Sequence, residues 1–365
     1  METAEFQAAG LYDPGSPNAA DRLALLQWLA ARGHTLEQMV VAHRHGSLVA
    51  LAADATLRPG RRFTVAEVAA QIGIAPERLE EIRLAVGLSR VDPEERAFTE
   101  DDATTFTVFA TGAAQFGELP SRRFARVIGS SLGRIAEAAV SLFYVNVEGP
   151  IREAGAGELA VAEAAVRAIQ TLRVVADALV GVFRVHMEAA IARLRQARRA
   201  PSGDTAYVTV GFVDLVGFTS LSGRLTAREL ATVVDRFEDT AHDVATVRGG
   251  RIVKLIGDEV MFVTLTAAAA CDIALTLLEE FATDPSITPR GGLATGEVLM
   301  RGGDYYGPIV NLASRLAELA VPRELLVTPE VVAEAGSSGL RFAPAGKRLL
   351  KGFDEPVTLS TVERG

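Results

Sequence analysis

With a single cysteine, Cys271, in 365 residues, the chain has no internal disulfide to staple it, and its cores must rest on packing alone. A lone thiol also suits a reducing compartment. Long apolar runs are missing too. The longest near the middle, 174–183, is interrupted by Asp177 and falls far short of the ~20 residues that cross a bilayer. The opening METAEFQAAG carries two acids and no apolar segment, which excludes a signal-peptide pattern. These absences predict a cytoplasmic protein with no membrane partner. Positive charge is also scarce. The balance is −9, whereas a broad nucleic-acid-binding surface needs a basic patch. An acidic chain that handles a polyanion needs metal ions and a few well-placed cations.

What the chain does have is enough apolar sequence, and enough length, for roughly two domains with their own cores. Up to about residue 200 the pattern is helical, with apolar residues recurring at three and four, as in Leu23, Leu26, Trp28 and Leu29. Pro59-Gly60 breaks it. Thr64, with Glu67 three residues on, then reads as a capping box opening a short helix. Residues 64–88 have the helix, glycine turn, helix spacing of a helix-turn-helix. Any two short packed helices give the same text, and the acidic run 92–102 that follows opposes DNA binding. A long helix is predicted over 161–200. It ends in Arg193, Arg195, Arg198 and Arg199, cations that suit the negative end of a helix dipole. Pro201, Ser202, Gly203 and Asp204 stop it and form the best linker in the chain.

Beyond the linker the period changes. Residues 207–213 (YVTVGFV) read as a strand, 226–247 as a helix capped by Thr226 and Glu229. Two apolar runs, 252–256 and 260–264, flank Gly257-Asp258, a two-residue hairpin signal. A helix over 267–281, a strand over 291–300 and a helix over 308–320 with Pro at its start complete the series. Strand, helix, hairpin, helix, strand is the order of a ferredoxin-like sheet. The predicted class is α+β, an all-α N-terminal half followed by a ferredoxin-like domain.

Taken singly, the polar residues of the second half are bland. Asp214 ends the first strand beside a Gly-containing turn, where a carboxylate can hold a metal but more often caps a helix. Asp258 sits at a hairpin tip, where Asp is common for turn reasons. Asn311 and Arg315 lie four apart, so they share one helix face that could simply be solvated. Two acids at neighbouring strand ends are a stronger signal, because a two-metal site needs carboxylates to bridge ions roughly 3.5–4 Å apart.

Together these stretches resemble a family. FVDLVGFTSLS (212–222), KLIGDEV (254–260) and DYYGPIVNLASRL (304–316), in that order, look like the three signature segments of class III adenylate and guanylate cyclases. The closing GKRLLKGFDEPVTLSTV is similar to that family's last hairpin. The resemblance implies that Asp214 and Asp258, with the carbonyl of Leu215, bind two Mg²⁺ or Mn²⁺ ions per site. It implies that Lys254 and Asp304 read adenine, that Asn311 orients the ribose and that Arg315 stabilises the transition state. Phe218 and Thr219 fall in the segment that faces substrate, and Lys351 falls near a lysine that contacts the triphosphate. Adenine offers an exocyclic amine and the N1 acceptor, to which Asp304 and Lys254 are matched, so ATP rather than GTP is the expected substrate. In this family the aspartates and the Asn/Arg pair of one site come from different chains. A chain carrying all six implies a homodimer with two equivalent sites.

The first half is similar in layout, and in LLQWLAARGHTLEQM and EIRLAVGLSRVD, to the autoinhibitory halves of certain actinobacterial cyclases. The implied organisation is a helical regulatory domain (1–172), a linker or switch helix (173–203) and a catalytic domain (204–365). Candidate inputs are an apolar ligand, which an Ala/Val/Leu-rich helical domain can pocket, and pH, through His186 on the switch helix. The competing readings are a guanylate cyclase, and a nucleotide-sensing or DNA-binding regulator whose cyclase-like domain only binds.

Overall fold

The computed structural model describes residues 1–197, 204–218, 222–282, 287–336 and 338–365. It divides into two compact units, Met1–Val185 and His186–Gly365. Among the described residues no helix is long and apolar enough to cross a membrane.

The first unit is helical. Ala19–Ala31, Leu36–Arg44 and Leu51–Leu57 enclose Phe6, Leu25, Leu26, Leu29 and Met39, and Ala162 and Val166 of the long helix Glu158–Ala197 close that core. A second core joins Val65–Ile72, Pro76–Ala85 and Glu100–Phe116 through Val68, Leu79, Phe98 and Phe106. Thr64 caps Val65–Ile72 in the expected box with Glu67, and Gly73 ends that helix at φ 73°. The helix-turn-helix text is thus a real helix pair. Its second helix buries Leu79, Ile82 and Ala85 and carries Glu77, Glu80 and Glu81, a composition for packing rather than for a groove of phosphates. Glu118–Phe143 runs through a π-helical stretch, Tyr144–Glu148, into Gly149–Glu153. It leaves Phe124, Leu132, Val140 and Leu142 exposed.

The helix expected over 161–200 is Glu158–Ala197, 40 residues long. Both the expected 172/173 boundary and the 185/186 division between units fall within it. Its final three predicted residues and the linker 201–203 lie outside the described residues.

The second unit is built on one sheet, in the order β2-β3-β1-β4-β6-β8-β7, with β5 paired to β4. The strands are β1 (Thr205–Leu215), β2 (Arg251–Ile256), β3 (Glu259–Thr264), β4 (Pro289–Arg301), β5 (Asp304–Tyr306), β6 (Leu325–Val327), β7 (Leu340–Arg348) and β8 (Val357–Arg364). β4 and β6 run parallel and the other pairs antiparallel. The run β2-β3-β1-β4, with helices Ala227–Val247 and Ala267–Glu280 as its crossovers, is the expected ferredoxin-like unit. Alternation along β1 divides its two faces. Val208, Val210 and Phe212 join the core that includes helix Pro308–Leu319. Val213 and Leu215 join the core of the two crossover helices. Period two makes this unavoidable once one face is fixed.

Cys271 lies wholly inside the core of the two crossover helices. Burial pushes its thiol up to about 12, so almost none is thiolate near neutral pH. The folded protein should resist iodoacetamide, and unfolding in guanidinium should expose one reactive thiol, as mass spectrometry can count.

Candidate active site

The site residues collect at one end of the central strands because three connections end there. Asp214 closes β1, and the β2–β3 turn places Gly257 (φ 66°) and Asp258 beside it, with Ile256 paired to Glu259. The Leu215 amide donates to the Asp258 carbonyl at 3.2 Å, tying the two carboxylate-bearing ends together. Across the sheet Asp214 pairs with Glu259 on one side and Arg290 on the other.

Arg290 is the principal contact of Asp214. Its Nε and Nη2 donate to Asp214 Oδ2 at 3.0 and 2.8 Å, and its Nη1 donates to the carbonyls of Glu318 and Ala320 at 2.6 and 3.2 Å. The guanidinium therefore joins the end of β1 to the C-terminal end of helix Pro308–Leu319. Both contacts on Asp214 go to Oδ2, and among the described residues no hydrogen bond is made to Oδ1.

The carboxylates strain against one another. Burial, with the Asp214 charge adding to it, raises Asp258 above the usual carboxylate range. Glu259 is pushed up to about 7, first by burial and then by Asp214, Glu318 and Asp258. A bound cation would relieve this repulsion. Among the described residues no cluster of three or more acidic, His or Cys side chains is arranged to hold a metal. Two carboxylates and a carbonyl nevertheless fit Mg²⁺, which is commonly held by one or two carboxylates plus substrate phosphates.

Lys254 on β2 and Asp304 on β5 meet as expected, Nζ to Oδ2 at 2.7 Å, although fifty residues separate them. The Tyr305 amide donates to Asp304 Oδ1 at 2.7 Å, so the acid is held from both sides. Asn311 is exposed on helix Pro308–Leu319. Arg315, one turn on, is engaged by Glu318, Nη1 to Oε1 at 2.6 Å and to Oε2 at 2.5 Å. Among the described residues neither Asn311 nor Arg315 bonds to Asp214 or Asp258. Within one chain the candidate residues thus fall into three groups, the carboxylates with Arg290, the Lys254–Asp304 pair, and the helix residues with Glu318.

The remaining candidates are less engaged. Leu215 buries its side chain in the core and Phe218 packs against the same core. Thr219 lies outside the described residues. Lys351 is exposed in the turn between β7 and β8, beside buried Leu350. His186 is exposed on the long helix. Arg290 and Glu259 were not anticipated from the sequence. Arg290 lies at the start of β4 next to apolar sequence, GGLAT, and a half-buried cation there calls for a partner.

Comparison with known proteins agrees with this division of labour. Residues 6–195 match the family model described as adenylate cyclase regulatory domain, and 201–361 match adenylate and guanylate cyclase catalytic domain. An uncharacterised Mycobacterium tuberculosis protein is 32% identical over 360 residues, 96% of this chain and 92% of its own length. An adenylate cyclase of Streptomyces coelicolor is 34% identical over 277 residues, 75% of this chain and 71% of its own. A pH-sensitive adenylate cyclase of M. tuberculosis is 31% identical over 379 residues, covering 97% and 91%. Both halves being matched, in the order the sequence implied, the chain is an enzyme of the adenylate cyclase family with its regulatory domain placed before its catalytic domain.

Proposed function

We propose that the protein converts ATP to 3′,5′-cyclic AMP and pyrophosphate, at two equivalent sites shared between two copies of the chain. The observation that carries the choice of substrate is the preformed Lys254–Asp304 pair. Asp304 can accept from the exocyclic amine of adenine and Lys254 can donate to N1, an order that guanine reverses.

In the reaction the ribose 3′-oxygen bonds to the α-phosphorus as the bond to the pyrophosphate oxygen breaks, and the hydroxyl proton is lost. Arg315 supplies fixed donors where charge accumulates on the phosphoryl oxygens, and Asn311 holds the ribose. Asp214, Asp258 and the Leu215 carbonyl would hold two Mg²⁺ or Mn²⁺ ions, which when bound lower the pKa of the hydroxyl and neutralise charge on attacking and leaving oxygens. Arg290 keeps the Asp214 charge compensated through Oδ2, and among the described residues nothing bonds to Oδ1.

Sharing between copies is supported by the lack, among the described residues, of any hydrogen bond from Asn311 or Arg315 to Asp214 or Asp258 within one chain. It is also supported by the exposed apolar side chains along the long helix, among them Val174, Val182, Phe183 and Val185, which call for a cover. The regulatory half is proposed to act through that helix, with pH or an apolar ligand as its input. If His186 is the pH-sensing group, His186→Ala flattens the activity profile over about pH 5.5–8, around the roughly 6.5 reference value of histidine. An unchanged profile removes it from the mechanism.

Purified protein with Mn²⁺ or Mg²⁺ should form cyclic AMP from ATP, and kcat/KM for GTP should be lower by about a hundredfold or more. Lys254→Ala should narrow that ratio. No cyclic AMP under either metal, with wild type equal to Asp214→Ala, would mean a module that binds nucleotide without turning it over. Equal use of both nucleotides would mean that the Lys254–Asp304 pair does not read the base.

A further inference from the structure

A cavity of about 340 Å³ lies within the second unit, and of its wall residues the proposed chemistry uses Asp304 alone. Its charged wall residues come from three places in that unit. The last turns of the long helix give Arg193 and Leu194, the first residue of β2 gives Arg251, and the β4–β5 hairpin gives Met300, Arg301 and Tyr305. The hairpin is a two-residue turn with Gly302 and Gly303 both at positive φ, 63° and 84°, which pairs Arg301 directly with Asp304. Arg251 is held against it, with Nη2 donating to the Gly303 carbonyl at 3.1 Å and the guanidinium 5.2 Å from the Tyr305 ring centre.

Three guanidinium groups thus border one small cavity. Among the described residues, none of them forms an ion pair with a carboxylate. The one acid in the wall, Asp304, is already paired with Lys254. Arg193 is half-buried; burial, and then the charge of Arg251, hold it below its ordinary range. Such convergence costs free energy unless an anion joins it, and it stands out in a chain whose net charge is −9. The guanidinium fork matches phosphate oxygens two at a time. The rest of the wall is apolar, with Leu194, Val208, Val263 and Met300. The volume is at the small end of ligand pockets, roughly 300–1,000 Å³.

We infer that this cavity binds a small phosphate monoester, its phosphate gripped by Arg193, Arg251 and Arg301 and its apolar body set against Leu194, Val263 and Met300. The ligand would join the end of the long helix to the hairpin that carries Asp304. Any effect on turnover through Asp304 rests on the cyclase reading, whereas the binding itself does not, so the test measures binding without turnover.

Titration calorimetry of the full chain with hexyl phosphate as the probe should show saturable binding of one molecule per chain, weakened as salt rises. Arg193→Gln with Arg301→Gln should weaken it about tenfold or more, the expected loss for removing charged hydrogen bonds. Arg251→Gln alone should weaken it too, a second variant in case the double one unfolds. Arg315→Ala should leave it unchanged, and hexanol should not bind. Absence of saturable binding would overturn the inference. So would binding lost in Arg315→Ala but retained in the Gln variants, since the phosphate would then be in the catalytic site.

Discussion

Asp214→Asn and Arg315→Ala chains, each without turnover alone, should recover about a quarter of wild-type activity when mixed in equal amounts. Random pairing makes half the dimers mixed, and each mixed dimer has one intact site of its two. Either change by itself should lower kcat by about a thousandfold, the scale of losing one positioned charge from a charged transition state. Asp214→Asn keeps the side-chain shape but removes the charge paired with Arg290, leaving it the neutral amide oxygen and the Glu318 and Ala320 carbonyls as acceptors. A stability loss of about 1–3 kcal/mol is expected from that half-buried arginine, so thermal unfolding should accompany the assay. Arg315→Ala frees Glu318 at an exposed position and should cost little stability. The choice of these two residues follows from the structure, because within one chain the first belongs to the carboxylate set and the second to the helix set. Cyclic AMP measured by chromatography, with sedimentation to show that chains exchange, decides the question. Exchange without recovered activity would place Asp214 and Arg315 in the same site of one chain and remove the shared-site mechanism.

Much of this arrangement was legible because its elements are long or sharply punctuated. Thr64, Thr226 and Pro308 mark helix starts by chemistry that acts locally. The Gly257-Asp258 turn needed nothing beyond its two residues. β5, β6 and helix Pro329–Ala335 were not anticipated, since three to seven residues are too few for a period to show. What places them is the neighbouring strand. β5 exists only as the return from Gly302-Gly303, and β6 only by pairing with β4 on one side and β8 on the other. The site divides in the same way. Asp214, Asp258, Lys254, Asp304, Asn311 and Arg315 were found as a joint pattern, each alone being ordinary. Arg290 became visible only when β4 was set beside β1 and beside the end of helix Pro308–Leu319, a juxtaposition that no local spacing encodes. The three arginines of the cavity come from residues 193, 251 and 301, too far apart in the chain for any motif to join.

Gly292→Ala should reduce kcat by about a hundredfold without touching a catalytic group. Gly292 lies on β4, paired with Phe212 on one side and Leu326 on the other, and its φ is not in the left-handed region. Its backbone therefore does not require glycine; its surroundings do. A Cβ there would stand 2.3 Å from the Ala317 nitrogen, 2.4 Å from the Ala313 oxygen and 2.6 Å from the Leu316 Cβ. The first two are helix backbone and cannot rotate away, so helix Pro308–Leu319 as a whole would have to lift from the sheet. Overpacking of this kind costs about 1–3 kcal/mol, enough to lower the melting temperature by several degrees while leaving the circular dichroism of the fold intact. The same helix carries Asn311 and Arg315, and its C-terminal carbonyls hold Arg290 against Asp214. A shift of about 1 Å in such groups can cost a hundredfold in rate. The loss should fall on kcat more than on KM for ATP, because Asn311 and Arg315 ride on the helix itself whereas Lys254 sits on β2. Wild-type kcat in a folded Gly292→Ala protein would show that the helix tolerates displacement, and that the close approach of β4 to it does not set the position of Arg315.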